Sequence, residues 1–520
     1  MDLSYVKEIF DPIYGFIRLT QDEIDIIDKL LFQRLHNINQ LGTLHMVFPT
    51  ARNTRFSHSL GVLAVTSKII DNFKKLPEPN SKIIEKFDLR KKDQELVRAA
   101  ALLHDIGHLP YSHCTENVIK DYILEKYPNI EIKKKFHEWL SGEIIKKTDI
   151  YNPKGQDPNI IAQDRENISQ IIQGTSGFPL LNQILHSELD ADRMDYLVRD
   201  SFSTGVSFGQ IDMDQILRKV FIKERSSTLK PLSDNIIVYS TKAINAIDNF
   251  YFARMFMFNS VYYHKVKCYF DYLLSESYRI MINSDNLKAI EDSLPLKPDV
   301  VLSLILDENN LTKEEIQDFF ILWHKYDDYY LWNCMRDCWH KLRDLSEKDS
   351  NSDLKLLKTY LDLLFQRKKS ALVWEINRLK SVNENNNEEK IVLDSILESV
   401  FGDLETWIKS ELSTDYEMPL IVLNNKVDAP LSNIRMEDPE NPNEYQGELI
   451  LFHNPDTDQF HYLNNVQSSI NFQTNKSEFH IFRVFCPEEE CKEELYTKID
   501  SKYSELIDSY MKEDNNSVRE

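Results

Sequence analysis

The chain has 520 residues, 42% hydrophobic and 28% charged, with only 12 glycines, a composition that supports a sizeable core and argues against a loop-rich β architecture. Its net charge of -22 argues against an extended nucleic-acid surface, because phosphate backbones are held by basic stripes. A small polyphosphate in a local pocket of Arg and Lys, beside a bound metal, stays compatible with that charge.

In chain order, Met1 to Phe10 lacks the basic-then-apolar layout of a signal peptide, and no apolar run approaches the ~18 residues of a membrane span, so a cytoplasmic protein is expected. Apolar residues at helical spacing predict a helix over Gln21 to Gln40, ending near Gly42, then a second over Ser57 to Phe73 with His58 at its start. A third, Gln94 to Ile106, is apolar on most sides and should lie inside the domain, stopped by Gly107 and Pro110. Further helices are predicted at Phe136 to Lys147, Glu166 to Gln173, Leu180 to Arg199, Met213 to Val220, Thr241 to Ser275 and Leu354 to Lys380, with residues 281 to 350 helical but more polar.

Asn383 to Glu389 reads as a solvated low-complexity loop. Beyond about Thr414, Leu420 to Leu423, Glu448 to Phe452, Gln459 to Leu463 and Phe479 to Phe485 predict strands, followed by a helix over Glu493 to Met511 and a disordered tail from Lys512. The expected fold is mainly α, with a helical core over 1–280, a helical extension over 281–413 and an α+β region over 414–520. The six cysteines are scattered, which fits reduced thiols; Cys334 and Cys338 share a helical spacing, but no second pair completes a zinc set.

The densest chemical signal is a group of imidazoles and carboxylates: His58, His104, Asp105, His108, His113 and His137, followed by Asp190, Asp192 and Asp195. Mixed nitrogen and oxygen donors suit a hard divalent cation with open water positions, and such a cation makes bound water a nucleophile at neutral pH. His104-Asp105 alone is a common dipeptide. Its weight comes from its place at the end of a buried helix, together with His58 in Arg55-Phe56-Ser57-His58-Ser59-Leu60-Gly61.

In Ser187 to Asp200, helical spacing aligns Asp192, Tyr196 and Asp200; Arg193 and Arg199 could serve a ligand or pair with neighbouring carboxylates on a solvated face. Arg254, Phe258 and Tyr262 align likewise, a stripe that is either core or a phosphate-facing wall.

With these residues in view, the chain resembles the HD-domain superfamily, and more closely the deoxynucleoside triphosphate triphosphohydrolases of the sterile-alpha-motif and HD-domain type. The resemblance runs through Asp11 to Gly15, Phe32 to Leu35, Gln40 to Gly42, Val47 to Pro49, Asn53 to Gly61, His104 to His108, Pro110 to His113, Asp190 to Asp200 and Tyr262 to Lys265. It implies an HD-domain helical phosphohydrolase core that cleaves deoxynucleoside triphosphates to deoxynucleoside and triphosphate.

It places His58, His104, Asp105 and Asp192 on the metal ligands, for Mg, Mn or Fe, and His108, His113 and His137 on the catalytic histidines, with His113 as the acid for the departing 5′ oxygen. It places Arg55, Arg193 and Arg254 on phosphates, Gln40 and Asp200 on the 3′ hydroxyl, Tyr196 by the sugar, and Leu41 and Tyr262 across C2′. Tyr263 stands where Gln is usual, Arg193 where Lys is usual, and His36, near Asp28 and Gln33, where an activator site usually has Arg. The resemblance also implies a homo-oligomer and a nucleotide activator. The alternatives are another HD activity, a nucleotidase or nucleotide phosphodiesterase, or a nucleotide sensor without turnover.

Overall fold

The computed structural model describes residues 3–73, 89–130, 132, 135–225, 234–284, 287–306, 312–345, 351–368, 370–381, 388–415, 420–428, 450–454, 459–462, 477–486 and 489–517. It is mainly helical, with small sheets. The chain divides into two compact units, Met1–Leu361 with Met436–Val466, and Asp362–Arg435 with Gln467–Glu520. The expected segments 1–280, 281–413 and 414–520 do not coincide with these units, since the helices from Pro298 to Asp344 fall in the first.

In the first unit, β1 (Lys7–Asp11) and β2 (Gly15–Leu19) form an antiparallel hairpin that periodicity did not reveal. The helix expected over Gln21 to Gln40 is broken into Gln21–Ile27, Leu30–Gln33 and a 3-10 turn, Arg34–Asn37. The Arg55–Phe73 and Lys91–Leu103 helices pack together and bury Leu60, Val62, Leu63, Leu96, Val97 and Leu102. Phe136–Lys147 is as expected, whereas the next helix begins earlier, at Pro158, behind the Asp157 cap.

The helix expected over Leu180 to Arg199 is two, Pro179–Leu185 and Ala191–Thr204. Asp190 divides them, its carboxylate accepting from Ser187 N (3.0 Å) and Arg193 N (2.8 Å) as an N-cap. Ile244–Met257 passes through a π-helical turn, Phe258–Tyr262, before Lys265–Asn283. β3 (Val220–Arg225) and β4 (Asp234–Ser240) are antiparallel partners, and β4 runs parallel to a later strand, Leu451–Asn454, whose antiparallel partner is Gln459–Tyr462.

In the second unit β5 (Ala371–Ser381) replaces the C-terminal half of the helix expected over Leu354 to Lys380, which stops at Phe365. Arg367 takes a left-handed φ of 50° just past that helix, and the Val373, Trp374 and Ile376 run favours a pleated surface. Ser477–Cys486 is the central strand between β5 and Ile421–Asp428, all antiparallel. The helices Glu388–Ser410 and Lys492–Ser517 complete a core around Trp374, Phe401, Phe482 and Val484. Residues 382–387 of the expected low-complexity loop lie outside the described residues, while Glu388 and Glu389 open a helix; the expected tail from Lys512 is helical through Ser517.

None of the six cysteines is joined in a disulfide. Among the described residues, no helix is long and apolar enough to cross a membrane.

Candidate active site

The Lys91–Leu103 helix stops with His104 as its C-cap, and its last turns are too apolar and buried to leave that helix end exposed. The turn beyond it is clamped: Ser141 Oγ donates to His104 O (2.6 Å) and accepts from Gly107 N (2.9 Å). A Cβ on Gly107 would lie 2.5 Å from His137 O, so this glycine admits the Phe136–Lys147 helix against the turn. Likewise a Cβ on Gly61 would lie 2.0 Å from Asp195 Oδ1, so a bare backbone three residues after His58 lets Asp195 stand directly behind its ring.

These approaches create the first cluster. His58 Nδ1 donates to Asp195 Oδ2 (2.8 Å) and His104 Nδ1 to Ala101 O (2.9 Å), tautomers assigned from their partners. The free Nε2 atoms face each other at 3.3 Å. Asp192 Oδ1 lies 2.9 Å from His58 Nε2 and 3.9 Å from His104 Nε2, and Asp105 Oδ1 lies 3.3 Å from His104 Nε2. Opposed nitrogen lone pairs flanked by two carboxylates favour a positive charge between them: His58, His104 and Asp192 bring their ligand atoms close enough to hold one cation, with Asp105 Oδ1 beside His104.

The same preference shows in His58, where burial opposes the charge but Asp192 and Asp195 outweigh it and hold the imidazolium up to about 10. Asp195 is steadied in turn by Arg199, through 2.8 and 3.0 Å bonds, and Arg199 pairs with Asp11 at 2.9 Å. Arg199 therefore pairs with carboxylates as one sequence reading held, but it is buried rather than on a solvated face.

The second cluster is a row of imidazoles. His108 lies 3.2 Å from Asp105 Oδ1 and stacks on His137 with ring centres 4.1 Å apart; burial, Arg55 and His137 keep it neutral. Glu116, one turn after His113, accepts from both His113 Nδ1 (2.7 Å) and His137 Nδ1 (2.8 Å). Burial opposes the Glu116 charge, but those two bonds hold its carboxyl far below the usual range. The His113 side chain is 66% open while those of Glu116 and His137 are each 10% open, so His113 is the imidazole that a ligand meets.

His113 is delivered by a strained turn, Tyr111 and Ser112 having φ of 59° and 52°. Ser112 Oγ accepts from Arg55 Nε (3.0 Å), and Tyr111 N donates to Asp328 Oδ1 (2.6 Å), which pins the turn. Asp328 also accepts from Asn39 N and Nδ2, so the polar helices after residue 281 brace the site.

Around these clusters, Arg55 Nη1 bonds Asp105 Oδ2 (2.7 Å). Arg193 Nη1 and Arg254 Nη1 both reach Glu188 Oε2, at 2.8 and 3.2 Å. Asp200 accepts from Asn53 Nδ2 (2.8 Å) and from Tyr262 OH (2.9 Å), and burial pushes its carboxyl up to about 6. Tyr196 meets Tyr262 edge-on at 6.1 Å. Among the described residues Gln40 Oε1 is buried without a hydrogen-bond partner, and Leu41 precedes the Gly42–Met46 turn.

The structure thus brings the site residues singled out in the sequence into these two clusters and their surroundings, with Leu41 placed only through its neighbour Gln40, whose N donates to Asn53 O. Glu116, Glu188, Asn53, Ser112 and Asp328 were not singled out. Only Glu116 carried a readable signal, its i+3 spacing from His113.

Residues 55–200 match the HD domain family model. The chain is 32% identical over 311 residues to an uncharacterized protein of Methanocaldococcus jannaschii, a match covering 60% of this chain and 57% of that one. It is 29% identical over 296 residues to the deoxynucleoside triphosphate triphosphohydrolase SAMHD1 homolog of Dictyostelium discoideum, covering 55% and 51%. The matched stretch spans about half the length of these curated relatives. A solved structure of a hypothetical protein from Aquifex aeolicus aligns with TM-score 0.58 at 22% identity over 95% of this chain and 99% of that one, a likeness of fold. Residues 55–200 carry an HD domain.

Proposed function

We propose that this chain hydrolyses deoxynucleoside triphosphates to deoxynucleoside and triphosphate in a reaction that depends on a divalent metal, Mg, Mn or Fe. The observation that supports it most is continuity: the cation-seeking cluster passes through Asp105 and His108 directly into the His113–Glu116–His137 row. A cation held by His58, His104, Asp105 and Asp192 supplies Lewis acidity and an activated water.

A water oxygen would bond to the α-phosphorus as the bond to the 5′ oxygen breaks, the water's own proton passing to solvent. His113, with Nδ1 tied to Glu116, donates its other ring proton to the departing 5′ oxygen. His108, kept neutral by burial, and His137 orient the attacked phosphate, and Arg55, Arg193 and Arg254 hold the phosphate oxygens. Asp200 and the free Oε1 of Gln40 accept from the 3′ hydroxyl, with Tyr196 beside the sugar. Leu41 and Tyr262 close the space at C2′, where a ribose hydroxyl would be left unpaired.

A homo-oligomer belongs to the same reading, supported by the exposed Phe10–Phe16 pair on the β1–β2 hairpin. Nucleotide activation has weaker support, because His36 stacks on Phe56 at 3.6 Å. The deciding experiment incubates the protein with each of the four dNTPs and with GTP, plus Mg or Mn, and separates products by ion exchange. Deoxynucleoside with intact triphosphate, absent in the His104→Ala, Asp105→Ala double variant, is the expected result. Monophosphate or diphosphate products would replace it with a nucleotidase reading, and no turnover with a sensor.

A further inference from the structure

We propose that Glu188 is a positioning residue that limits how tightly this pocket holds a polyphosphate, by sharing one buried carboxylate between Arg193 and Arg254. Glu188 lies between the Pro179–Leu185 and Ala191–Thr204 helices and is 2% exposed. Both Nη1 atoms converge on its Oε2, from Arg193 at 2.8 Å and from Arg254 at 3.2 Å. Asp190 Oδ2 stands 3.8 Å from Arg193 Nε, and Phe258 lies under the Arg254 guanidinium at 5.4 Å.

The pairing leaves donors over: among the described residues Arg254 Nε is buried without a hydrogen-bond partner, and Arg193 keeps 21% of its side chain open. The buried Tyr251 hydroxyl, likewise without a hydrogen-bond partner among the described residues, also faces the three charges, as do Tyr196 and, beside Arg193, Lys135. Two guanidinium groups with spare donors form an anion site.

The shared carboxylate acts on that site in two ways. It fixes both forks before any ligand arrives, and it cancels part of their attraction for one. The second effect matters because, on the reading above, the triphosphate product carries the very groups that the arginines hold in the substrate. An uncompensated pair would bind both tightly and slow product departure. Glu188 thus keeps the arginines oriented while keeping their grip releasable.

The test titrates inorganic tripolyphosphate into the full chain in excess Mg by calorimetry, which needs no turnover and reads the arginine pair whatever the products prove to be. Steady-state kinetics run beside it. In Glu188→Gln, tripolyphosphate is expected to bind about tenfold tighter, the scale of one unit charge acting through protein, with KM and kcat falling together. A purely structural role would instead lower the melting temperature and weaken binding. Glu188→Asp, which keeps the charge but shortens its reach, is expected between wild type and Gln and serves if the Gln variant does not fold. Tripolyphosphate affinity equal to or weaker than wild type in the folded variants overturns the proposal.

Discussion

The two imidazole clusters use similar residues to opposite ends. In the first, carboxylates stand on both sides of His58: Asp195 behind the ring accepts a hydrogen bond from Nδ1, and Asp192 lies beside Nε2. The nitrogens and oxygens therefore converge on one point and a cation is favoured there. In the second, Glu116 accepts from His113 and His137 on the same kind of nitrogen, Nδ1, and its hydrogen bonds are satisfied within the row. That arrangement suits holding and moving a proton. The difference is made by where the carboxylate sits relative to the rings, not by residue type.

Removing Glu116 tests this contrast most severely. Glu116→Gln is expected to lower kcat by about 100-fold or more, the scale of general acid catalysis, while metal content stays at wild-type level. The sign on pH follows from charge. Glu116 favours protonated His113, so its loss lowers the His113 pKa, and the alkaline limb of the kcat profile moves to lower pH. An unmoved limb would mean that the carboxylate orients the row without tuning it.

The mirror change is Asp195→Asn, behind the cation cluster. Metal affinity measured by equilibrium dialysis is expected to fall roughly 10- to 100-fold, as for other partners of metal-binding histidines, with the alkaline limb in place once metal is restored. If both variants shift the same observable, the clusters are not functionally distinct.

The smallest effect is expected at the sugar edge. Asp200, raised to about 6, is a charged acceptor through both oxygens only while ionised, so deoxynucleotide KM should rise as pH falls through that value. Tyr262→Phe removes a bond to the charged carboxylate, which moves that acid limb upward and raises KM severalfold, on the scale of one hydrogen bond to a charged group. A KM profile with the same limb in both proteins would show that Tyr262 acts on the sugar by shape alone.

The sequence by itself determined the helical class, because apolar residues recur at helical spacing through most of the chain, and it singled out the imidazoles and carboxylates that the fold brings together. His104 and Asp105 were readable because polar residues at the end of an otherwise buried helix need partners, whereas the set that adds His58 and Asp192 came from the resemblance. Helix limits were less readable: Asp190 divides one predicted helix by capping the next, and Arg367 ends another before β5, both local hydrogen-bond and backbone effects that outweigh periodicity.

Only the tertiary structure decided how the charges are shared. Glu188 binds two arginines from different helices, Asp328 reaches Asn39 and Tyr111 from more than 200 residues away, and Gly61 matters for the atom that fills the space above it. Such partnerships depend on distances across the packed core, where a side chain meets residues that no spacing rule along the chain connects to it.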